Sequence, residues 1–427
     1  MKKRFSFFVA GSLLILVFIS GCLKDTVKRS YTYTLYRPVY ETKSSVRQKI
    51  KSSAPVAIAQ PGKLVVKGPY IFLNEIDKGI HVIDNSNPAQ PKNTAFIAIP
   101  GCADLAVNGN TLYADLYTDL VALDITNPLD VHPGNIITSV FPERYYTSYY
   151  GLDSAQVVID WIKKDTTVTE SYDVSAWQNK GRGGIVVLPN CPNCDFFYAL
   201  SSAPVAAVST VGTGGSMARF TILNNRLYTV GASGLSTFNI STPLMPELSS
   251  VQQIGFNVET IFPLKDKLLI GATNGMFIFD TEDPDRPTQL SQYTHVQSCD
   301  PVIADGDFAY VTLRSGTACN GFTNQMEVLT ITNLLQPALL KTYPLTHPMG
   351  LSKDDNLLFV CDDMDGLKIY NAEKPNDLQL LKTFNGLETY DVIAANGLAI
   401  VVAKDGLYQF DYSDKANIKQ LSKLSRD

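Results

Sequence analysis

Charge is scarce in this 427-residue chain: 18% of residues are Asp, Glu, Lys or Arg, where soluble proteins average roughly a quarter. With 45% hydrophobic residues, that scarcity excludes a disordered chain. A net charge of −5 and the lack of any basic patch argue against a nucleic-acid partner. The 28 Gly and 23 Pro are ordinary numbers and exclude a collagen-like repeat. His is rarer still, at four residues (His81, His132, His295, His347), and none stands at metal-ligand spacing from another. Nor is there a Ser or Cys triad motif or a cofactor-binding motif. Gly212-Thr213-Gly214-Gly215 lacks the Lys of a phosphate loop and reads as a flexible linker.

The N-terminus is patterned as an address. Lys2, Lys3 and Arg4 precede an apolar run, Phe5 to Ile19, whose 15 residues fall short of the roughly 20 that cross a bilayer core. Ile19-Ser20-Gly21-Cys22 resembles the bacterial lipobox, which implies cleavage after Gly21, acylation of the Cys22 thiol and a membrane partner held through the lipid anchor. Loss of residues 1–21 removes three basic residues and leaves −8. Leu23-Lys24-Asp25 partly resembles the export signal of surface lipoproteins in one Gram-negative phylum, with Thr26 departing from it. The expected location is the outer membrane, displayed outward, with a periplasm-facing arrangement as the alternative. Residues 22–60, poor in core-forming runs apart from Tyr31-Thr32-Tyr33-Thr34-Leu35-Tyr36, read as a tether.

From residue 61 onward the chain repeats itself. Seven apolar strands end at Asp84, Asp124, Asn239, Asp280, Thr330, Asn371 and Asp411, spaced 40, 115, 41, 50, 41 and 40 residues apart. Each unit also carries an earlier strand pair around a turn, as in Leu105-Ala106-Val107-Asn108-Gly109-Asn110-Thr111-Leu112-Tyr113. Turns such as Asn85-Ser86-Asn87-Pro88 follow the terminal Asp or Asn. Four short strands in about 40 residues make a propeller blade. The expectation is an all-β, seven-bladed β-propeller over residues 61–427, with one long insertion, about 144–216, between blades 2 and 3. Ring closure is left open between packing of the terminal blades and a strand swapped in from the tether.

Ile80-His81-Val82-Ile83-Asp84 and Leu120-Val121-Ala122-Leu123-Asp124, each followed by Asn-Pro, resemble the LVIVD repeat of bacterial and archaeal cell-surface proteins. The resemblance runs over roughly residues 62–424; Leu329-Thr330 departs from the apolar-Asp ending, and blade 5 is lengthened around Ser315 to Phe322. It implies a propeller at the cell surface and no particular reaction. Tryptophan-aspartate repeats are excluded because the two Trp, Trp161 and Trp177, lie outside the repeats.

The insertion is rich in aromatics, with Tyr145-Tyr146-Thr147-Ser148-Tyr149-Tyr150 and both Trp, which suits either a contact surface or a flap packed on the propeller. Six Cys remain once Cys22 is set aside. Cys299 and Cys319 flank one hairpin and form the best disulfide candidate. Cys191 and Cys194 are a second, with a redox pair or half of a metal site as alternatives. Cys102 and Cys361 read as buried thiols. Asp362-Asp363-Met364-Asp365-Gly366 resembles part of a calcium loop but lacks its first and last ligands, so a tight acidic turn is the plainer reading.

Aligning the units places Asp104, Arg219, Glu259, Asp300, His347 and Asp391 at the connectors into the innermost strands, around the channel mouth. This is the candidate ligand site, with no metal or cofactor assigned to it. Two functions follow: a membrane-anchored binding module for a protein or glycan, or an exported hydrolase or lyase working on polysaccharide or peptide through the acidic rim.

Overall fold

The computed structural model describes residues 26–142, 155–173, 211–255, 257–295, 301–316 and 322–426. Cys22, Cys191, Cys194, Cys299, Asp300 and Cys319 lie outside these residues. The chain divides into two compact units, Met1–Val39 with Asp160–Cys194 and Tyr40–Ile159 with Asp195–Asp427.

The second unit carries seven four-stranded antiparallel blades in a propeller. We letter the strands of each blade a to d from the channel outward. Blade 1 is Pro61–Lys67, Tyr70–Glu75, Gly79–Asp84 and Lys92–Ala98. Blade 7 is Thr389–Ala395, Leu398–Ala403, Gly406–Asp411 and Lys419–Ser425. The terminal Asp or Asn of strand c has a definite task. Its side chain accepts the backbone N–H two residues on, closing an Asx turn that aims the chain back as strand d. Asp84 does this for Ser86 at 2.9 Å, Asp124 for Thr126 at 2.8 Å and Asn371 for Glu373 at 3.0 Å. Blade 5, where Thr330 stands instead, substitutes a 3.0 Å contact between the Thr330 and Thr332 hydroxyls.

The same turns join neighbouring blades. Tyr113 of blade 2 donates its hydroxyl to Pro243 O in the turn of blade 3 at 2.9 Å, and Tyr228 of blade 3 reaches Pro284 O in blade 4 at 2.7 Å. The ring closes by packing, and among the described residues no strand is exchanged between blades 1 and 7. Leu64, Ile71, Leu73 and Ile83 of blade 1 share a core with Ile393, Ile400, Val402 and Leu407 of blade 7. Asn85 and Gln409 exchange two amide hydrogen bonds across the seam, at 3.0 and 2.7 Å, and Ser422 donates to Pro88 O at 2.6 Å.

Part of the segment read as a tether is packed structure. Helix Lys43–Arg47, capped by Thr42, buries Val46 and places Lys43 Nζ and Arg47 Nη2 at 2.9 and 2.8 Å from the buried Asp119 of blade 2. Lys51–Ser53 then adds a strand to the outer edge of blade 1. Further on, the amides of Ala59 and Gln60 donate to Glu75, which also meets the buried His81 at 3.1 Å and Lys78 Nζ at 3.5 Å. Burial works against the charge on Glu75, but His81 and the two amides hold its pKa below the usual carboxylate range.

The Tyr-rich stretch belongs to strand Thr26–Thr42, which pairs with Gln156–Asp173 of the insertion rather than with blade 7. In the first unit this two-stranded ribbon sorts its side chains by alternation. Ser30, Thr32 and Thr34 bond to Thr169, Thr167 and Asp165 at 3.3, 2.8 and 2.6 Å. Tyr31, Tyr33 and Leu35 alternate with them and are exposed.

Candidate functional site

The strand registers define a ring of equivalent positions at the connector end of the channel. Counted back from the hairpin, the fourth a–b pair marks the same level in every blade, and the residue just before it in strand a is the ring position. Leu64 pairs with Leu73, Leu105 with Ala114, Phe220 with Thr229, Ile261 with Ile270, Val302 with Val311, Leu351 with Val360 and Val392 with Val401. The ring is therefore Lys63, Asp104, Arg219, Thr260, Pro301, Gly350 and Asp391. Three of the six candidate residues stand in it.

This ring does not open onto an empty channel. The C-terminal end of the insertion runs through it. Val211 bridges Asn108 at the hairpin end of blade 2, and Thr213 and Gly214 pair as a short strand with Val66 and Val65 of blade 1. Gly215 N then donates to Leu64 O at 3.3 Å, and Ile261 N of blade 4 to Ala218 O at 2.9 Å. Val211–Ala218 thus threads from the hairpin end to the ring and joins blade 3. Gly212-Thr213-Gly214-Gly215, expected as a flexible linker, is a channel plug, and Gly215 to Ala218 are buried. Glycine is needed here because neighbouring side chains fill the space a Cβ would take: one on Gly215 would stand 1.9 Å from Asp391 Oδ2, and one on Gly212 2.5 Å from Val65 Cγ1.

The polar groups of the ring hold the plug. Lys63 Nζ donates to Asp104 Oδ2 at 2.6 Å and to Met217 O at 2.9 Å. Asp104 also accepts from Arg219 N at 2.7 Å and Leu105 N at 2.8 Å. Burial presses both Lys63 and Asp104 toward their neutral forms, and their mutual attraction opposes it. On the other side, Ser216 Oγ donates to Asp391 Oδ1 at 2.9 Å while accepting from Leu351 N at 2.6 Å. Beside Lys63, Asp104, Asp115 and Arg219 the plug leaves a cavity of about 10 Å³, room for a single water.

The remaining candidates lie elsewhere. Glu259 is the extra residue of a bulge between Val258 and Thr260, so Thr260 takes the ring position. His347 belongs to a separate cluster, with Nδ1 3.0 Å from Asp363 Oδ2 and Nε2 3.1 Å from Ser315 O. The Asp363 carboxylate raises its pKa, against the effect of burial. Asp362-Asp363-Met364-Asp365-Gly366 is a tight turn, closed by Asp362 N to Gly366 O at 2.9 Å, with Lys368 against Asp362. No group of three His, Cys, Asp or Glu suited to a metal occurs among the described residues. Sequence reasoning missed Lys63 and Ser216. Lys63 was findable, since it is the third residue of Pro61–Lys67 as Asp391 is of Thr389–Ala395.

The profile of the LVIVD repeat matches residues 61–94, from the first strand of blade 1 into its last. Blade 1 is thus similar to the LVIVD repeat. The Asp that closes the LVIVD signature here is Asp84, the residue that makes the Asx turn. No curated protein matches the chain. Among solved structures, PorZ of Porphyromonas gingivalis, described as an essential bacterial surface component of the type-IX secretion system, is 14% identical with a TM-score of 0.50. The likeness covers 87% of this chain and 39% of that one, so the chain spans about two fifths of PorZ. The periplasmic gluconolactonase PpgL of Pseudomonas aeruginosa is 13% identical with a TM-score of 0.50, over 86% of this chain and 98% of that one. At these identities the likeness is one of fold.

Proposed function

We propose that the chain is an exported propeller, anchored to the outer membrane through lipid on Cys22, that works at the cell surface as a binding module for a protein or glycan. The observation that carries this reading is the plug. Small-molecule chemistry in a propeller uses converging polar groups at an open channel, and here those groups are spent on Val211–Ala218. Engagement of Asp104 and Asp391 with the plug and its flanks supports this reading over the hydrolase or lyase alternative. Contact then falls to surface outside the channel, of which the exposed Tyr31, Tyr33 and Leu35 are one part. The two fold relatives, one a surface component and one a periplasmic enzyme, divide between the readings and decide nothing.

The test has two arms. Full-length protein in detergent, offered polysaccharides and peptides, is expected to retain a ligand saturably without converting it; turnover that vanishes in an Asp104→Asn variant would instead establish the enzyme. For the anchor, a Cys22→Ser variant is expected to accumulate uncleaved and unacylated. Normal processing and membrane retention of that variant would remove the lipid anchor from the proposal.

A further inference from the structure

Asp391 combines three features that are rarely found together in a residue with a structural role. It is fully buried. Its carboxyl is wedged between two backbones, since a Cβ on Gly215 or on Gly350 would come within 1.9 Å of one of its oxygens. And while Oδ1 accepts from the Ser216 amide at 3.2 Å and hydroxyl at 2.9 Å, Oδ2 has no hydrogen-bond partner.

We propose that Asp391 is a proton-operated latch on the channel plug, which is seated while this carboxyl is neutral and loosens once it ionises. The groups that face it are Ser216 and Gly215 of the plug, Gly350 of blade 6, the buried Cys361 beside Asp362, and Lys63 across the channel. Lys63 is the cation among them, and it is engaged with Asp104 and Met217 O. A buried anion with one oxygen unmatched is costly, whereas the neutral acid keeps Oδ1 as the acceptor for Ser216 and leaves only an uncharged O–H on Oδ2. Burial accordingly raises the Asp391 pKa, with the Ser216 hydroxyl opposing. Opening of the plug admits water and returns the group toward the ordinary value near 3.9. Between those two values the open state binds fewer protons, so opening is favoured about tenfold for each unit rise in pH.

Hydrogen exchange of the full-length protein in detergent reads this directly at three amides: Gly215, bonded to Leu64 O, Ser216, bonded to Asp391, and Leu351, bonded to Ser216 Oγ. After correction for the intrinsic pH dependence of exchange, their protection is expected to fall as pH rises above the ordinary carboxylate range, by up to about tenfold per unit, while Tyr310 in blade 5 stays constant. Asp391→Asn is expected to flatten the fall. Protection independent of pH in the wild type, or a slope that survives in Asp391→Asn, overturns the latch. If Asp391→Asn does not fold, Ser216→Ala serves, because it keeps the carboxyl. Weaker protection with the same slope supports the proposal, and a lost slope overturns it.

Discussion

Asp104 and Asp391 occupy the same place in blades 2 and 7, and both are buried at 2% exposure or less, yet the protein holds them by opposite means. Asp104 meets an ammonium and two backbone amides. Asp391 meets one serine and the bare backbone of two glycines. The repeat sets where a side chain stands, and the plug, which belongs to no repeat, decides what it stands beside. One carboxylate is thereby built to keep a charge partner and the other to be stored without one.

The contrast breaks most sharply at Lys63. Lys63→Met retains the volume of the stem and leaves Asp104 buried without its cation, a change that typically costs about 3–5 kcal/mol. Denaturant unfolding at neutral pH is expected to show a loss of that order, much of it recovered in Lys63→Met with Asp104→Leu, where neither member of the pair is left without its partner. A single variant as stable as the wild type would mean that Asp104 does not depend on Lys63.

On the Asp391 side the decisive contact is steric. Gly350 has no unusual φ, so Gly350→Ala tests space alone: its Cβ would lie 1.9 Å from Asp391 Oδ1 and 2.8 Å from Ser216 Oγ. Overpacking of this kind costs about 1–3 kcal/mol. The loss is expected to shrink when Asp391→Ala is added, because the methyl then occupies the vacated space. Equal losses with and without that second change, measured by thermal unfolding, would put the strain elsewhere.

These particulars show how far the sequence could be read. Blade number and order were legible because the turn closed by Asp or Asn recurs about every 40 residues and does the same work in every blade but the fifth, as Asp84 and Asp124 show. Asp104, Arg219 and Asp391 were legible by register. Glu259 misled because a bulge adds one residue to strand a, and counting along a chain does not reveal a bulge. The plug was illegible for a different reason: glycines that permit close backbone approach and glycines that permit flexibility look the same in sequence. What separates them is the partner, here Val65 and Val66, almost 150 residues away in the chain.

The smallest expected effect lies at His347, the candidate that the fold moved out of the ring. Its ring is 37% exposed and its partner Asp363 23%, so the pair sits near solvent where Asp104 and Lys63 do not. With the Asp363 carboxylate 3.0 Å from Nδ1 and the Ser315 carbonyl 3.1 Å from Nε2, the imidazolium is the form that fits. A raised His pKa means that its stabilisation is fully present below the unfolded value of about 6.5 and is lost as pH rises through the folded value. Solvent screening keeps this under about 1 kcal/mol. His347→Gln should therefore cost a few tenths of a kcal/mol at pH 5.5 and nothing measurable at pH 8.5, where the wild type has already given the contribution up. A loss as large at pH 8.5 as at pH 5.5 would show that His347 acts by packing, and the exposed pair would then no longer contrast with the buried one by charge.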